Sequence, residues 1–131
     1  MTTLTTKLEI KSWDEKPYRE FDDGRKFARA NVVLAGTDGE LTEGAFESLL
    51  YYAADATSTF VVVLQLTGEL DGRSGSVVLA GDGGFDGTTA TVNARVVAGT
   101  DELAGISGTL ESRSNHQDYP YMPITLTYEL G

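Results

Sequence analysis

Glu43 and Glu47 are the carboxylate pair whose spacing first suggests acid–base chemistry. If Leu41 to Tyr52 is a strand, Glu43, Glu47 and Tyr51 share one face, and Thr42, Phe46, Ser48, Leu50 and Tyr52 share the other. Four residues along a strand separate the two carboxylates by roughly 13 Å at about 3.3 Å per residue. That is too far for a coupled dyad, so either acid acts alone or is paired by Arg29. Arg29 and Asn31 lie on the same face of their strand as Phe27 and Val33, and Gln65 interrupts an apolar run beside Val61 and Val63. A buried polar side chain needs a hydrogen-bond partner. Arg29, Asn31, Glu43, Glu47 and Gln65 therefore either orient a ligand in a barrel, or satisfy one another and face water. A second group, Trp13, Glu15, Tyr18 and Phe21, surrounds Pro17. These aromatics either roof a barrel mouth and stack on a ligand, with Trp13 the candidate contact, or plug the end of the core.

Other chemistries find little support. His116 is the only histidine and sits in the polar run Ser112–Asp118, where a solvated loop is the simpler expectation. Cysteine is absent, which removes disulfides, thiolate nucleophiles and cysteine-ligated zinc. Asp82-Gly83-Gly84-Phe85-Asp86-Gly87 lacks the full ligand pattern of a calcium loop and reads as a turn. The glycine-rich segments contain neither GxxxxGK[ST] nor a strand-to-helix GxGxxG, and no serine sits in a Gly-x-Ser-x-Gly turn. No metal and no cofactor are expected, and no catalytic residue is assigned.

The elements that must carry these residues read as strands. Thr3 to Ser12 alternates, with Leu4, Thr6, Leu8 and Ile10 on one side. Pro17 predicts a break in pairing after it, and Asp22-Asp23-Gly24 a turn before a second strand from Arg25 to about Leu34. Leu41 to Tyr52 is ambiguous. Phe46, Leu49, Leu50 and Ala53 fall at helical spacing, whereas Gly44 and Tyr51-Tyr52 favour a strand, which is the preferred assignment. Phe60 to Leu70 suits a strand covered on both faces. From Gly68 to Gly108 short β-type runs alternate with glycine-bearing turns: Asp71-Gly72, a strand over Gly75–Ala80, Asp86-Gly87, then a strand over Thr88–Ala98. One helical turn at Asp101–Ala104, a strand over Ile106–Arg113 and a closing strand over Tyr121–Leu130 complete the chain. About eight evenly spaced strands without a long helix predict a single all-β domain over residues 1–131, either a sandwich or an antiparallel barrel. Successive hairpins favour the barrel.

The chain has 131 residues, 20 acidic and 10 basic, for a formal charge of −10. Such a field repels phosphate backbones and anionic lipid, so neither nucleic acid nor membrane is an expected partner. MTTLTTKLEIKSWDE lacks the basic and apolar segments of a secretory signal. The longest apolar run, Phe60–Leu66, is far short of the roughly 20 residues that span a bilayer as a helix. A cytoplasmic protein is expected.

Three blocks in order carry a family likeness: Lys11-Ser12-Trp13-Asp14-Glu15-Lys16-Pro17-Tyr18, then Gly72-Arg73-Ser74-Gly75-Ser76-Val77-Val78-Leu79, then Glu102-Leu103-Ala104-Gly105-Ile106-Ser107-Gly108. With the tail Thr125–Leu130, the chain resembles, over nearly its whole length, the bacterial family known as domain of unknown function 3224. The resemblance implies a compact antiparallel barrel of the allene oxide cyclase-like type, commonly packed as an oligomer, and implies no activity. Where relatives often carry a histidine this chain reads Leu79-Ala80-Gly81-Asp82-Gly83-Gly84, so no catalytic histidine carries over.

The expected function is binding of a small apolar ligand by the barrel. The alternatives are a cofactor-free isomerase or cyclase acting on a lipophilic substrate, and an oligomeric interaction protein with a filled barrel. A homo-oligomer is expected, with a dimer favoured, since a flat valine-rich sheet face would serve as its interface.

Overall fold

The computed structural model describes residues Met1–Gly131. Eight strands follow in chain order: β1 (Thr2–Glu20), β2 (Lys26–Gly36), β3 (Leu41–Tyr52), β4 (Ser58–Leu70), β5 (Arg73–Phe85), β6 (Ala90–Gly99), β7 (Ser107–Ser114) and β8 (Tyr121–Glu129). A 3-10 turn at Asp101–Leu103 separates β6 from β7. Each strand pairs antiparallel with its chain neighbours, and β8 returns to β1, from Thr2 opposite Tyr128 to Glu9 opposite Tyr121. The sheet therefore closes into a barrel, which removes most of the unpaired edges that a sandwich would leave.

Turn chemistry sets the register locally. Asp71 and Gly72 take φ angles of 50° and 77°, the left-handed pair that a two-residue hairpin between Leu70 and Arg73 requires. At the β5–β6 turn the Asp86 carboxylate accepts the amides of Thr89 and Thr88. These bonds hold its pKa below the ordinary carboxylate value, the Thr89 amide contributing most.

Leu41–Tyr52 is a strand, and its helical spacing is not used: Leu50 is buried while Leu49 is 51% exposed. Two expectations change. Pairing is irregular at Pro17 as expected, but the first strand runs on past Ser12 to Glu20, because β8 pairs only as far as Glu9 and the second half of β1 has β2 on one side and nothing on the other. A proline is tolerated on such an edge, and bulges between Ile10 and Ser12 and between Pro17 and Arg19 absorb the irregularity. β4 is covered on one face only, with Val62 and Leu64 buried and Val61 and Val63 facing out. No helix or second sheet packs on the outside of the barrel at that place.

The interior has two halves. One is filled by fully buried side chains, among them Leu8, Leu66, Leu70, Leu79, Leu126 and Tyr128, and Leu103 of the 3-10 turn packs into the same cluster. Each such leucine contributes roughly 1.5–3 kcal/mol by leaving water. The other half, toward the β3–β4, β5–β6 and β7–β8 connections, is open. The wall between β5 and β6 bends sharply enough that a Cβ on Gly81 would overlap the carbonyl oxygen of Asn93, so only glycine lets these backbones approach. Gly81→Val is expected to lower stability by at least about 2 kcal/mol, read as a lower urea midpoint. An unchanged midpoint would show that β6 can move away.

Candidate functional site

The open half of the barrel encloses a cavity of about 350 Å³, and 14 of its 18 lining residues are hydrophobic. Strand parity supplies the walls. Phe46, Ser48, Leu50 and Tyr52 point inward from β3, and Ser58, Phe60 and Val62 from β4, while Trp13 closes one side of the mouth. The space exists because small residues alternate with large ones at this level. Ser48 stands between Phe46 and Leu50, and Ser112 and Ser114 follow the core residue Leu110 on β7.

Both of the deeper serines are bonded to the wall. Ser48 Oγ donates to the carbonyl of Val61 at 3.0 Å, and Ser112 Oγ donates to that of Pro123 at 2.6 Å. No buried side-chain nitrogen or oxygen lacks a partner, in keeping with the cost of leaving one unpaired.

At the mouth, Glu15 links two aromatic residues. Trp13 Nε1 donates to Glu15 Oε1 at 3.1 Å, and the Tyr52 hydroxyl donates to Glu15 Oε2 at 2.7 Å. The Trp13 ring meets Phe46 edge-on, with centroids 5.8 Å apart. Lys26 Nζ lies 4.8 Å from the centroid of the Tyr52 ring. Burial, and then the hydrogen bond to Glu15, push the Tyr52 hydroxyl well above the ordinary tyrosine value. Tyr52 therefore stays protonated and keeps donating to Glu15.

Among the residues singled out from the sequence, Trp13 lines the cavity. Arg29, Asn31, Glu43, Glu47 and Gln65 all face outward and touch none of it. Arg29 Nη2 and Glu47 Oε1 form an ion pair at 2.6 Å with both side chains more than half exposed, Asn31 pairs with Glu47 in register, and Gln65 lies opposite Ala45. The structure thus brings Arg29, Asn31 and Glu47 together, but on the barrel's outer surface, as mutual satisfaction and hydration allow. Tyr18 and Phe21 pack on Phe27 at 6.0 and 5.3 Å rather than roofing the mouth. His116 is exposed in the β7–β8 loop. Sequence reasoning missed Ser48, Tyr52, Ser58, Phe60 and Ser112 as cavity walls. Their signal was a small residue interrupting a bulky parity, which marks missing volume.

Chemically the cavity is a largely apolar, aromatic-walled space with hydroxyls inside and one carboxylate at its lip. No cluster of three or more His, Asp or Glu side chains is gathered for a metal ion, and no helix is long and apolar enough to cross a membrane.

The family model described as "Protein of unknown function (DUF3224)" matches residues 4–128, and the chain belongs to that family. Among solved structures, the fold is similar to a protein of unknown function from the DUF3224 family of Shewanella oneidensis MR-1, with a TM-score of 0.76 and 24% identity over 100% of this chain and 98% of that one. No curated protein matches the chain.

The Tyr52–Glu15 pair makes alkaline stability directional. An unfolded tyrosine releases its proton near 10.0 while folded Tyr52 holds it to higher pH, so this contribution is complete below pH 10 and falls as pH rises. Tyr128 is raised in the same direction, by burial and then Asp71. In a 295 nm titration, two of the six tyrosines are expected to ionise late, and Tyr52→Phe to remove one of them. A variant that leaves the late phase intact would place Tyr52 in solvent.

Proposed function

We propose that this member of the family binds a small, mostly apolar molecule in the open half of its barrel. The observation that carries the reading is the cavity itself: about 350 Å³ with 14 of 18 lining residues hydrophobic, within the roughly 300–1,000 Å³ of ligand pockets. Its walls meet the requirements of such a site, since aromatic faces supply burial and a few hydroxyls supply orientation. A catalytic reading has less to work with. Cavity-lining residues include no histidine, lysine, aspartate or glutamate, and general acid–base work needs such a group within reach of the substrate.

Trp13 is the only tryptophan and stands at the rim, so binding can be read directly. Titration with the neutral probe N-phenyl-1-naphthylamine is expected to quench Trp13 emission and saturate at one probe per chain. Val62→Phe, which adds volume to the wall, is expected to weaken binding by about tenfold with an unchanged circular dichroism spectrum. Absence of a saturable signal would rule the reading out.

A second observation favours self-association through the outside of β2–β4. Val33, Leu49, Val61 and Val63 are each half exposed or more, and they occupy neighbouring register positions around Arg29 and Glu47. This patch carries a paired cation and anion on a chain of formal charge −10. Two copies meeting here would bury these apolar side chains, and a two-fold axis beside the pair would set Arg29 of each copy near Glu47 of the other. Sedimentation of the wild type is expected to give a dimer, and V61E combined with V63E a folded monomer. A monomeric wild type would exclude this interface.

A further inference from the structure

We infer that the cavity selects a ligand whose polar end donates hydrogen bonds and carries no negative charge, an alcohol, phenol or amine on an apolar body. This inference rests on the cavity's being a binding site and specifies its ligand class.

The support is the direction of every hydrogen bond already made around the cavity. A serine hydroxyl has one proton and two lone pairs. Ser48 and Ser112 give theirs to carbonyl oxygens, which can only accept. Each is left with acceptor capacity alone. The Trp13 N–H and the Tyr52 O–H are likewise engaged, both on Glu15. Glu15, when ionised, can only accept, and with about four lone-pair sites it has capacity beyond these two bonds. The hydroxyls of Ser58, Ser114 and Tyr121 also line the cavity, make no hydrogen bond within the chain and can turn either way, so they serve any polar end and discriminate between none.

Charge points the same way. No lysine, arginine or histidine lines the cavity. Two ammonium groups lie against rings of lining residues, Lys26 on Tyr52 at 4.8 Å and Lys7 on Tyr121 at 4.4 Å, but neither lysine is itself part of the cavity wall. A ligand carboxylate entering this space would lose its water, meet fixed lone pairs and approach Glu15, with at most a few mobile hydroxyls to compensate. An alcohol can donate to Ser48, Ser112 or Glu15 and accept from Ser58 or Ser114. An ammonium group at the mouth pairs with Glu15 directly.

Four probes on one skeleton test this: naphthalene, 2-naphthylmethanol, 2-(aminomethyl)naphthalene and 2-naphthoate, titrated calorimetrically into the full-length protein at pH 7.5. The alcohol and the ammonium are expected to bind at least about tenfold more tightly than the carboxylate. In Glu15→Gln the ammonium-to-carboxylate ratio is expected to fall by at least about threefold. In Ser48→Ala the alcohol-to-naphthalene ratio is expected to fall while the ammonium-to-carboxylate ratio holds. Carboxylate binding equal to or tighter than that of the alcohol in the wild type overturns the inference and assigns head-group recognition to Lys26; that comparison needs no variant to fold. If naphthalene binds and all four affinities are alike, the selectivity is refuted and the binding reading stands. If none of the four binds, naphthalene included, the binding reading fails and the inference falls with it.

Discussion

Pairing of β8 with β1 gives every strand an inside and an outside. Side chains alternate along a strand, so once the sheet is a closed ring, a single parity of each strand can reach the axis. Leu8, Leu66, Leu79 and Leu126 fill one half of the ring because they share that parity, and Val61, Val63 and Gln65 remain in solvent because they do not. A one-residue slip in the β1–β8 register would exchange the two sets. The turns support closure locally, as Asp71-Gly72 does with two left-handed residues, but the ring is what makes parity binding on all eight strands at once.

Within that constraint, volume decides where the barrel is solid and where it is hollow. The closed half stacks leucines around Leu103 and Tyr128. Across the open half, Ser48, Ser58, Ser112 and Ser114 stand where larger residues would meet across the axis, and the aromatic rings of Phe46 and Phe60 line the space without filling it. The longer β1–β2 hairpin then rises past the point where β8 has stopped pairing. Its free edge carries Trp13 and Glu15 to the rim, where Tyr52 reaches them from β3. The hollow therefore comes from the small side chains at this level, and its polar lip from one departure from ideal closure, the inequality in strand length between β1 and β8.

Much of the fold was legible in the chain. The Asp-Gly turns, the strand after Asp86-Gly87 and the eight-strand count all follow from local chemistry and appear in the structure. The three sequence blocks that resemble the family also lie within residues 4–128, which the family model matches. Less legible were the continuation of β1 past Pro17, whose lost amide is harmless on a free edge, and Val61 to Val63, whose unbroken apolar run mimics a strand covered on both sides. In both cases the deciding quantity is what lies beside the strand, which strand composition does not contain.

The candidate site divides in the same way. The sequence by itself determined which residues share a face: Glu43 with Glu47, Arg29 with Asn31, Phe46 with Ser48, Leu50 and Tyr52. It could not determine which face is inside, because alternation has a period of two and no sign. Only the tertiary structure supplied that sign. By closing β8 onto β1 it turned the polar set Arg29, Asn31, Glu43, Glu47 and Gln65 outward, and turned the serines and aromatics toward the axis. It also joined Glu15 to Tyr52 across 37 residues of chain, a juxtaposition created by strand order and length rather than by any local pattern.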